Sequence, residues 1–226
     1  TGMSDAKGTP KTTAEMKTQS TFTGWDFTNT WRILADSYPS LQASAFAGGA
    51  GTYEDPYLIK TAYHLNEVRN YLTSSYKQIA NINLATCYHE WIPIAGVYNA
   101  VTKKTNQFSG GYDGNGFKIT GLSITSLEHD YYGLFAYVEN AAVIPVFKNI
   151  SLENVSIAAT GKYDVGALIG YAGKLDISNC KSSGSVSGGE EVGGLIGMIY
   201  PWGTYSLVDK CQPTCTVVGT GPNVGG

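Results

Sequence analysis

The sequence is poor in charge and nearly without arginine. Charged residues make up 15% of its 226 residues, whereas a typical soluble domain has about 25%. The two arginines are Arg32 and Arg69, and the lysines form no basic block. A basic stripe or patch is the electrostatic footprint of nucleic-acid binding, so this class is excluded. No run approaches the roughly 18 consecutive apolar residues of a membrane span, and we expect no membrane insertion in this segment.

Residues that usually bind metals or carry catalysis are also sparse. His64, His89 and His129 lack the spacing of a zinc motif. Polysaccharide hydrolases need a carboxylate pair at a defined distance, and lyases need a base with a charge-neutralising metal or arginine. The acids of the second half are scattered, apart from the adjacent Glu190 and Glu191, which we predict to lie in a solvated turn. We therefore predict no catalytic, cofactor-binding or metal site; a carbohydrate-active β-helix enzyme remains an alternative.

Glycine, in contrast, is abundant, at 28 of 226 residues, and it recurs in a repeated element. The elements occupy residues 132–136, 166–170, 193–197 and 224–226. Their equivalent positions are Gly133, Ala167, Gly194 and Gly226, with spacings near 30 residues, which are typical of solenoids.

Strands, not helices, build this repeat. Residues 117–124 and 150–157 alternate apolar and polar side chains, the pattern of half-buried strands. A second landmark recurs at Asn149, Asn179 and Lys210, ahead of each alternating run. Several short strands per repeat predict an all-β chain folded as a β-solenoid, in which each coil is stabilised by its neighbours.

The segment before the repeat predicts a cap. Thr61 is a plausible N-cap residue for a helix of about three turns, and residues 78–84 alternate as a strand. The apolar stripe of this helix consists of Ala62, Leu65, Val68 and Leu72. A lone amphipathic helix ahead of a solenoid would cover its open end.

Residues 1–48 form a separate segment. Thr12 and Glu15 match a capping box, which predicts a short helix over residues 14–18. The glycine-rich stretch 48–51 predicts a linker, so we divide the chain into 1–48 and 49–226.

These features together resemble the GLUG-motif family of bacterial surface proteins. The resemblance rests on residues 51–59 running into the Thr61 helix, on 91–94, on 108–116 and on the Gly-Leu-Ile-Gly elements, of which 194–197 has the full pattern. Residues 11–17 and 23–27 look like the segment that closes a preceding unit. The resemblance implies a right-handed parallel β-helix with a short N-terminal capping helix, in a large secreted or cell-surface, often adhesin-like, protein. It implies no catalytic residues.

The four cysteines leave two interpretations open. Cys180 and Cys211 occupy the same repeat position, so adjacent coils would stack them. They could form a disulfide or pack as small apolar thiols, and Cys87 and Cys215 are equally undetermined. Separately, residues 98–104 interrupt two landmarks and are expected to form a protruding hairpin.

The most suggestive loop is aromatic. Tyr200, Trp202 and Tyr205 surround Pro201 and Gly203. Such side chains commonly anchor partners or sugars, although the rings could instead cover the flank of the solenoid. We predict a non-catalytic stalk or binding scaffold whose partner is an unknown glycan or protein. The alternative is a subunit of a homopolymeric layer or filament, joined through an open solenoid end at residues 224–226, where a further repeat would start.

Overall fold

The computed structural model describes residues 10–27, 31–33, 38–41, 45–100, 104–125, 129, 131–139, 142–200 and 206–225. The chain divides into two compact units, Thr1–Ala45 and Phe46–Gly226.

The first unit contains two short 3-10 helices, Glu15–Lys17 and Gln19–Thr21. It also contains an antiparallel pair of strands, β1 (Trp31–Arg32) and β2 (Ser40–Leu41). The backbone N–H of Thr12 donates to Glu15 Oε2 at 2.7 Å, and the N–H of Glu15 donates to Thr12 Oγ1 at 3.2 Å. The predicted capping box therefore forms, but it starts a 3-10 helix at Glu15 rather than an α-helix.

The second unit is built from short strands and one α-helix among the residues described. The helix is α1 (Ala62–Glu67), and a 3-10 turn follows it at Val68–Asn70. The strands are β3 (Tyr57–Ile59), β4 (Ser75–Gln78), β5 (Ile82–Asn83), β6 (Tyr98–Asn99), β7 (Lys104–Thr105), β8 (Gly111–Asp113), β9 (Lys118–Thr120), β10 (Ser123–Ile124), β11 (Phe135–Val138), β12 (Val146–Lys148), β13 (Ser151–Ala158), β14 (Val165–Gly166), β15 (Ile169–Ala172), β16 (Asp176–Ser178), β17 (Lys181–Ser187), β18 (Val192–Gly193), β19 (Ile196–Ile199), β20 (Leu207–Asp209), β21 (Gln212–Val218) and β22 (Val224–Gly225).

Apart from β6 and β7, which pair with each other, these strands form four parallel sheets that the chain visits in a fixed order. Sheet I is β3-β4-β8-β12-β16-β20, sheet II is β5-β9-β13-β17-β21 with β10 beside β13, sheet III is β11-β15-β19, and sheet IV is β14-β18-β22. From β12 onward, each coil runs through sheets I, II, IV and III before it returns to sheet I. The predicted all-β parallel solenoid is therefore confirmed.

The register of the strands confirms the repeat alignment. Phe135 pairs with Ile169, and Ile169 pairs with Ile196, which places Gly133, Ala167 and Gly194 in one row. Val224 and Gly225 pair with Val192 and Gly193, so this segment occupies the same register, while Gly226 lies outside the described residues.

The interior of the solenoid consists of stacked rows of like side chains. The inward row of sheet I contains Tyr76, Tyr112, Phe147 and Ile177, each exposed by 1% or less. Burying such apolar surface is the main stabilising contribution.

The predicted strand at 78–84 is wrong in extent, because residues 79–81 form the corner between β4 and β5.

The Gly-Leu-Ile-Gly elements bring two backbones into contact. A Cβ atom on Gly197 would lie 2.4 Å from the backbone nitrogen of Val165, and one on Gly166 would lie 2.5 Å from the nitrogen of Gly197. The strands of sheet IV therefore pack directly against those of sheet III at positions where only glycine leaves enough room. Between these glycines, Leu168 and Ile169 are fully buried.

The cap is present, although shorter than the apolar stripe predicts. Thr61 is the N-cap residue, and its Oγ1 accepts from the N–H of His64 at 3.2 Å. Ala62, Leu65 and Val68 are buried, whereas the helical segment ends at Asn70, before Leu72. Arg69, at the end of the cap, contacts the segment at residues 91–92. Its guanidinium lies 5.5 Å from the ring centroid of Trp91, and its Nη2 donates to the carbonyl of Ile92 at 2.9 Å.

The predicted hairpin also forms. Tyr98 pairs with Thr105 and Asn99 pairs with Lys104, in antiparallel register. Residues 101–103, at its tip, lie outside the described part of the chain.

Candidate binding surfaces

The aromatic loop is described only at its first residue. Tyr200 is 47% exposed, and its backbone N–H donates to the carbonyl of Ala172 at 2.8 Å. Trp202 and Tyr205 lie outside the described residues, so their predicted role as partner or glycan contacts stays a prediction.

Three tyrosines cluster on the outer face of sheet III. The last strand of this sheet, β19, ends one residue before Tyr200. The ring centroids of Tyr131 and Tyr137 are 5.4 Å apart, and both rings lie within 5.4 Å of Tyr171. Tyr137, Tyr171 and Met198 share one row of the sheet. Tyr200 comes two positions after Met198 along the chain. We call Tyr131, Tyr137 and Tyr171 the tyrosine platform.

A carboxylate borders the platform. The hydroxyl of Tyr137 donates to Glu139 Oε2. Burial, this hydrogen bond and the negative charge of Glu139 all raise the pKa of Tyr137, which therefore stays a neutral donor. Half-buried tyrosine rings can stack on the face of a sugar, and a neighbouring carboxylate can accept hydrogen bonds from the sugar's hydroxyls.

A groove lies along the outer face of sheet I. It has a volume of about 520 Å³, and its lining includes Tyr53, Lys77, Asp113 and Lys148. Tyr53 is 76% exposed, and Lys148 Nζ lies 3.5 Å from Asp113 Oδ2. The groove is within the usual size of small-molecule sites, about 300–1,000 Å³, and it was not predicted because its residues come from four separate strands and loops.

Carboxylates meet at the corner between sheets II and IV. Asp164 and Glu191 precede the paired residues Val165 and Val192, so they occupy successive coils at one corner. Both have positive φ, 52° and 49°, which confirms the predicted turn at Glu191. Burial, followed by the charge of Glu191, raises the pKa of Asp164 to about 6.

The cysteines are all free thiols in this structure. Cys180 and Cys211 precede the paired residues Lys181 and Gln212, so the predicted stacking on adjacent coils is present. Cys180 is buried, and burial raises the pKa of its thiol to about 12. A thiol with such a pKa is a poor nucleophile at neutral pH, so Cys180 acts as a small apolar side chain.

Within the described residues, no three His, Cys, Asp or Glu side chains come together in a way that could hold a metal ion. No helix in that part of the chain is both long and apolar enough to cross a membrane. His64 lies in the cap, where its Nδ1 accepts from the N–H of Lys60 at 3.2 Å.

The chain is similar to parts of two much longer proteins. No family model matches it. A protein of Evansella cellulosilytica, provisionally named as a Gly-rich membrane protein, is 36% identical over 189 residues, which cover 69% of this chain and 21% of that protein. Halomucin of Haloquadratum walsbyi is 36% identical over 156 residues, which cover 66% of this chain and 2% of halomucin. The chain thus spans a small part of each relative.

One solved structure shares the fold. A Bacteroides ovatus protein, provisionally described as an immunoglobulin A1 protease, superposes with a TM-score of 0.63 at 22% identity, over 76% of this chain and 51% of that chain. At this identity the likeness concerns the fold and carries no activity across.

Proposed function

We propose that the chain is a non-catalytic module of a large cell-surface protein of the GLUG type, in which a stiff β-solenoid serves as a stalk or binding scaffold. The observation that carries the proposal is the constant order in which the chain visits sheets I, II, IV and III from β12 to β22. A stack that repeats the same order is lengthened by adding coils, each about 4.8 Å tall. The names of the two relatives, a membrane protein and a halomucin, support a surface location.

Antibodies against the chain test the location. They should label intact cells of the source organism, and brief external proteolysis should remove the label. Labelling that requires permeabilised cells would overturn the proposed surface role. A screen of polysaccharides for release of reducing or unsaturated ends separates a scaffold from a carbohydrate-active enzyme, since a scaffold binds without turnover.

The binding role rests on the aromatic surface. The tyrosine platform provides rings on the outer face of sheet III, and the exposed Tyr200 follows the end of β19. Replacing Tyr200, Trp202 and Tyr205 with alanine should abolish retention on a glycan array. The matched control replaces Tyr163, which is 54% exposed on a different corner, and should leave retention unchanged. Equal retention by both variants would refute the role of the loop.

A second candidate is a filament subunit, in which copies of the chain associate through the last strands described. Leu207, Val208, Val218 and Val224 in the last strands of the stack are each at least 39% exposed. Unpaired sheet edges readily accept a strand from another chain. Sedimentation velocity should then show concentration-dependent association that Val208→Lys abolishes. Val143→Lys, at a site 64% exposed on another loop, is the control.

A further inference from the structure

A small polar pocket lies at the corner between sheets I and II, and we call it the corner pocket. Its volume is about 210 Å³. Three successive coils supply its polar lining: Asn149 and Ser151, then Asn179 and Lys181, then Lys210 and Gln212. Strand register holds these groups in rows, because Ser151 pairs with Lys181 and Lys181 pairs with Gln212.

Ser151 carries a hydroxyl whose hydrogen-bonding capacity is unused. The residue is 4% exposed, and its Oγ has no hydrogen-bond partner. Its neighbour Leu152 is fully buried in the interior, so strand alternation places Ser151 on the outward row, between Lys118 and Lys181. Buried polar side-chain atoms are nearly always hydrogen-bonded, and an exception asks for an explanation. A ligand that accepts from this hydroxyl supplies one.

The charge around the pocket favours an anion. Among the described residues, Lys181 has no ion-pair partner, whereas Lys118 in the same row pairs with Glu153 at 3.0 Å. Lys210 is 79% exposed and lies 3.4 Å from Asp209, its neighbour in the chain. The lining itself contains two ammonium groups and no carboxylate; Asp113, which accepts from Asn149 at 3.0 Å, lies outside it.

We propose that the corner pocket binds a small oxyanion, with the ammonium group of Lys181 and the hydroxyl of Ser151 as donors. The pocket is smaller than the roughly 300–1,000 Å³ of typical small-molecule sites, so it accommodates a single charged group. Such a group is a free sulfate or phosphate ion, or a sulfate or carboxylate substituent on an acidic polysaccharide. The proposal is independent of the stalk function.

Calorimetric titration with sodium sulfate at constant ionic strength tests the site. Lys181→Gln should weaken sulfate binding by roughly tenfold or more, because a charge-assisted hydrogen bond is lost. Lys60→Gln, at an exposed position just ahead of the cap helix, is the matched control and should bind as the parent chain does. An equal loss of sulfate affinity in both variants would show that sulfate responds only to the overall charge of the chain, and this would overturn the site. An unchanged sulfate affinity in Lys181→Gln would overturn it as well.

Ser151→Ala gives a second, opposite readout. Removing an unpartnered buried hydroxyl should raise the melting temperature without anion, while it weakens sulfate binding and shrinks the stabilisation by sulfate. A lower melting temperature without anion, or unchanged sulfate stabilisation, would contradict the proposal. Repeating the titration with a sulfated, a uronate and a neutral oligosaccharide distinguishes the sources: a Lys181-dependent signal from the charged sugars assigns a polysaccharide, and a signal from inorganic ions alone assigns a free anion.

Discussion

Asn179 donates its side-chain amide to Oδ1 of Asn149, the equivalent residue one coil earlier, at a distance of 2.8 Å. Asn149 in turn donates to Oδ1 of Asp113 at 3.0 Å, so a side-chain ladder follows the corner between sheets I and II over three coils. Asn149 and Asn179 have φ values of 56° and 52°. Asparagine tolerates this left-handed conformation better than most residues, so the same side chain serves the turn and the ladder.

Asn179→Ala should lower the free energy of unfolding by about 2 kcal/mol. The variant loses the hydrogen bond to Asn149, and alanine lacks the polar side chain that helps asparagine to adopt a positive φ. Asn179→Gly is the matched control, since it loses the same hydrogen bond but is at ease at this φ. Its loss should be smaller, about 1 kcal/mol. Urea unfolding measures both values, and equal losses would show that backbone conformation contributes nothing.

The close approach of sheets III and IV gives a second prediction. Gly197→Ala would place a Cβ atom 2.4 Å from the backbone nitrogen of Val165. Because the obstacle is backbone, we expect a loss of about 3 kcal/mol or more. Gly225→Ala is the control, since a Cβ there meets nothing within 4 Å. Thermal unfolding should separate the two variants; similar melting temperatures would refute the steric explanation.

The periodic features of the fold were predictable from sequence, and their physical cause explains why. Glycine is required wherever two backbones touch, as at Gly166 and Gly197, so the contact leaves a visible repeat. The extents of single elements were not predictable. The run 78–84 alternates as one strand would, yet Ile79, Ala80 and Asn81 form a corner within it. Alternation of apolar and polar residues therefore does not reveal where one strand ends and the next begins.

The candidate sites were harder to predict, because they combine residues from different coils. Tyr137 and Tyr171 stand at the same offset from the aligned Gly133 and Ala167, so the alignment already contained a signal for the platform. The corner pocket had a partial signal, because Asn149, Asn179 and Lys210 of its lining form the recurring landmark, but nothing in the sequence singled out Ser151. Ser151 looks like any outward serine until strand register places it between two lysines.

The Asp164 corner predicts how stability depends on pH. Its folded pKa is about 6, above the ordinary value of 3.8. The folded state therefore binds a proton more tightly than the unfolded state, and stability should fall as pH rises from about 4 to about 6. Asp164→Asn should remove this fall and stabilise the protein at pH 7 by about 1 kcal/mol, after allowance for solvent screening.

Glu191→Gln provides the control for this corner. It removes the neighbouring negative charge, so the carboxyl of Asp164 should titrate at lower pH in a carbon-13 NMR titration. An unchanged titration midpoint would show that Glu191 does not act on Asp164. A parent chain whose stability is constant between pH 4 and 6 would refute the prediction itself.

His64 in the cap should make stability depend on pH in the opposite direction to Asp164. His64 Nδ1 accepts from the N–H of Lys60 and so must be unprotonated, and burial lowers the pKa of this imidazole below 6.5. The unfolded state then binds a proton more readily, so this contribution is complete above pH 6.5 and declines as pH falls below it. His64→Asn keeps an acceptor at the same position without a titrating ring, and should remove that decline.

Thr61→Ala, which deletes the N-cap acceptor, should lower the free energy of unfolding by about 1 kcal/mol at every pH. Chemical unfolding of these variants in an Asp164→Asn background isolates the effect of the cap; a His64→Asn variant that retains the decline would place its origin elsewhere.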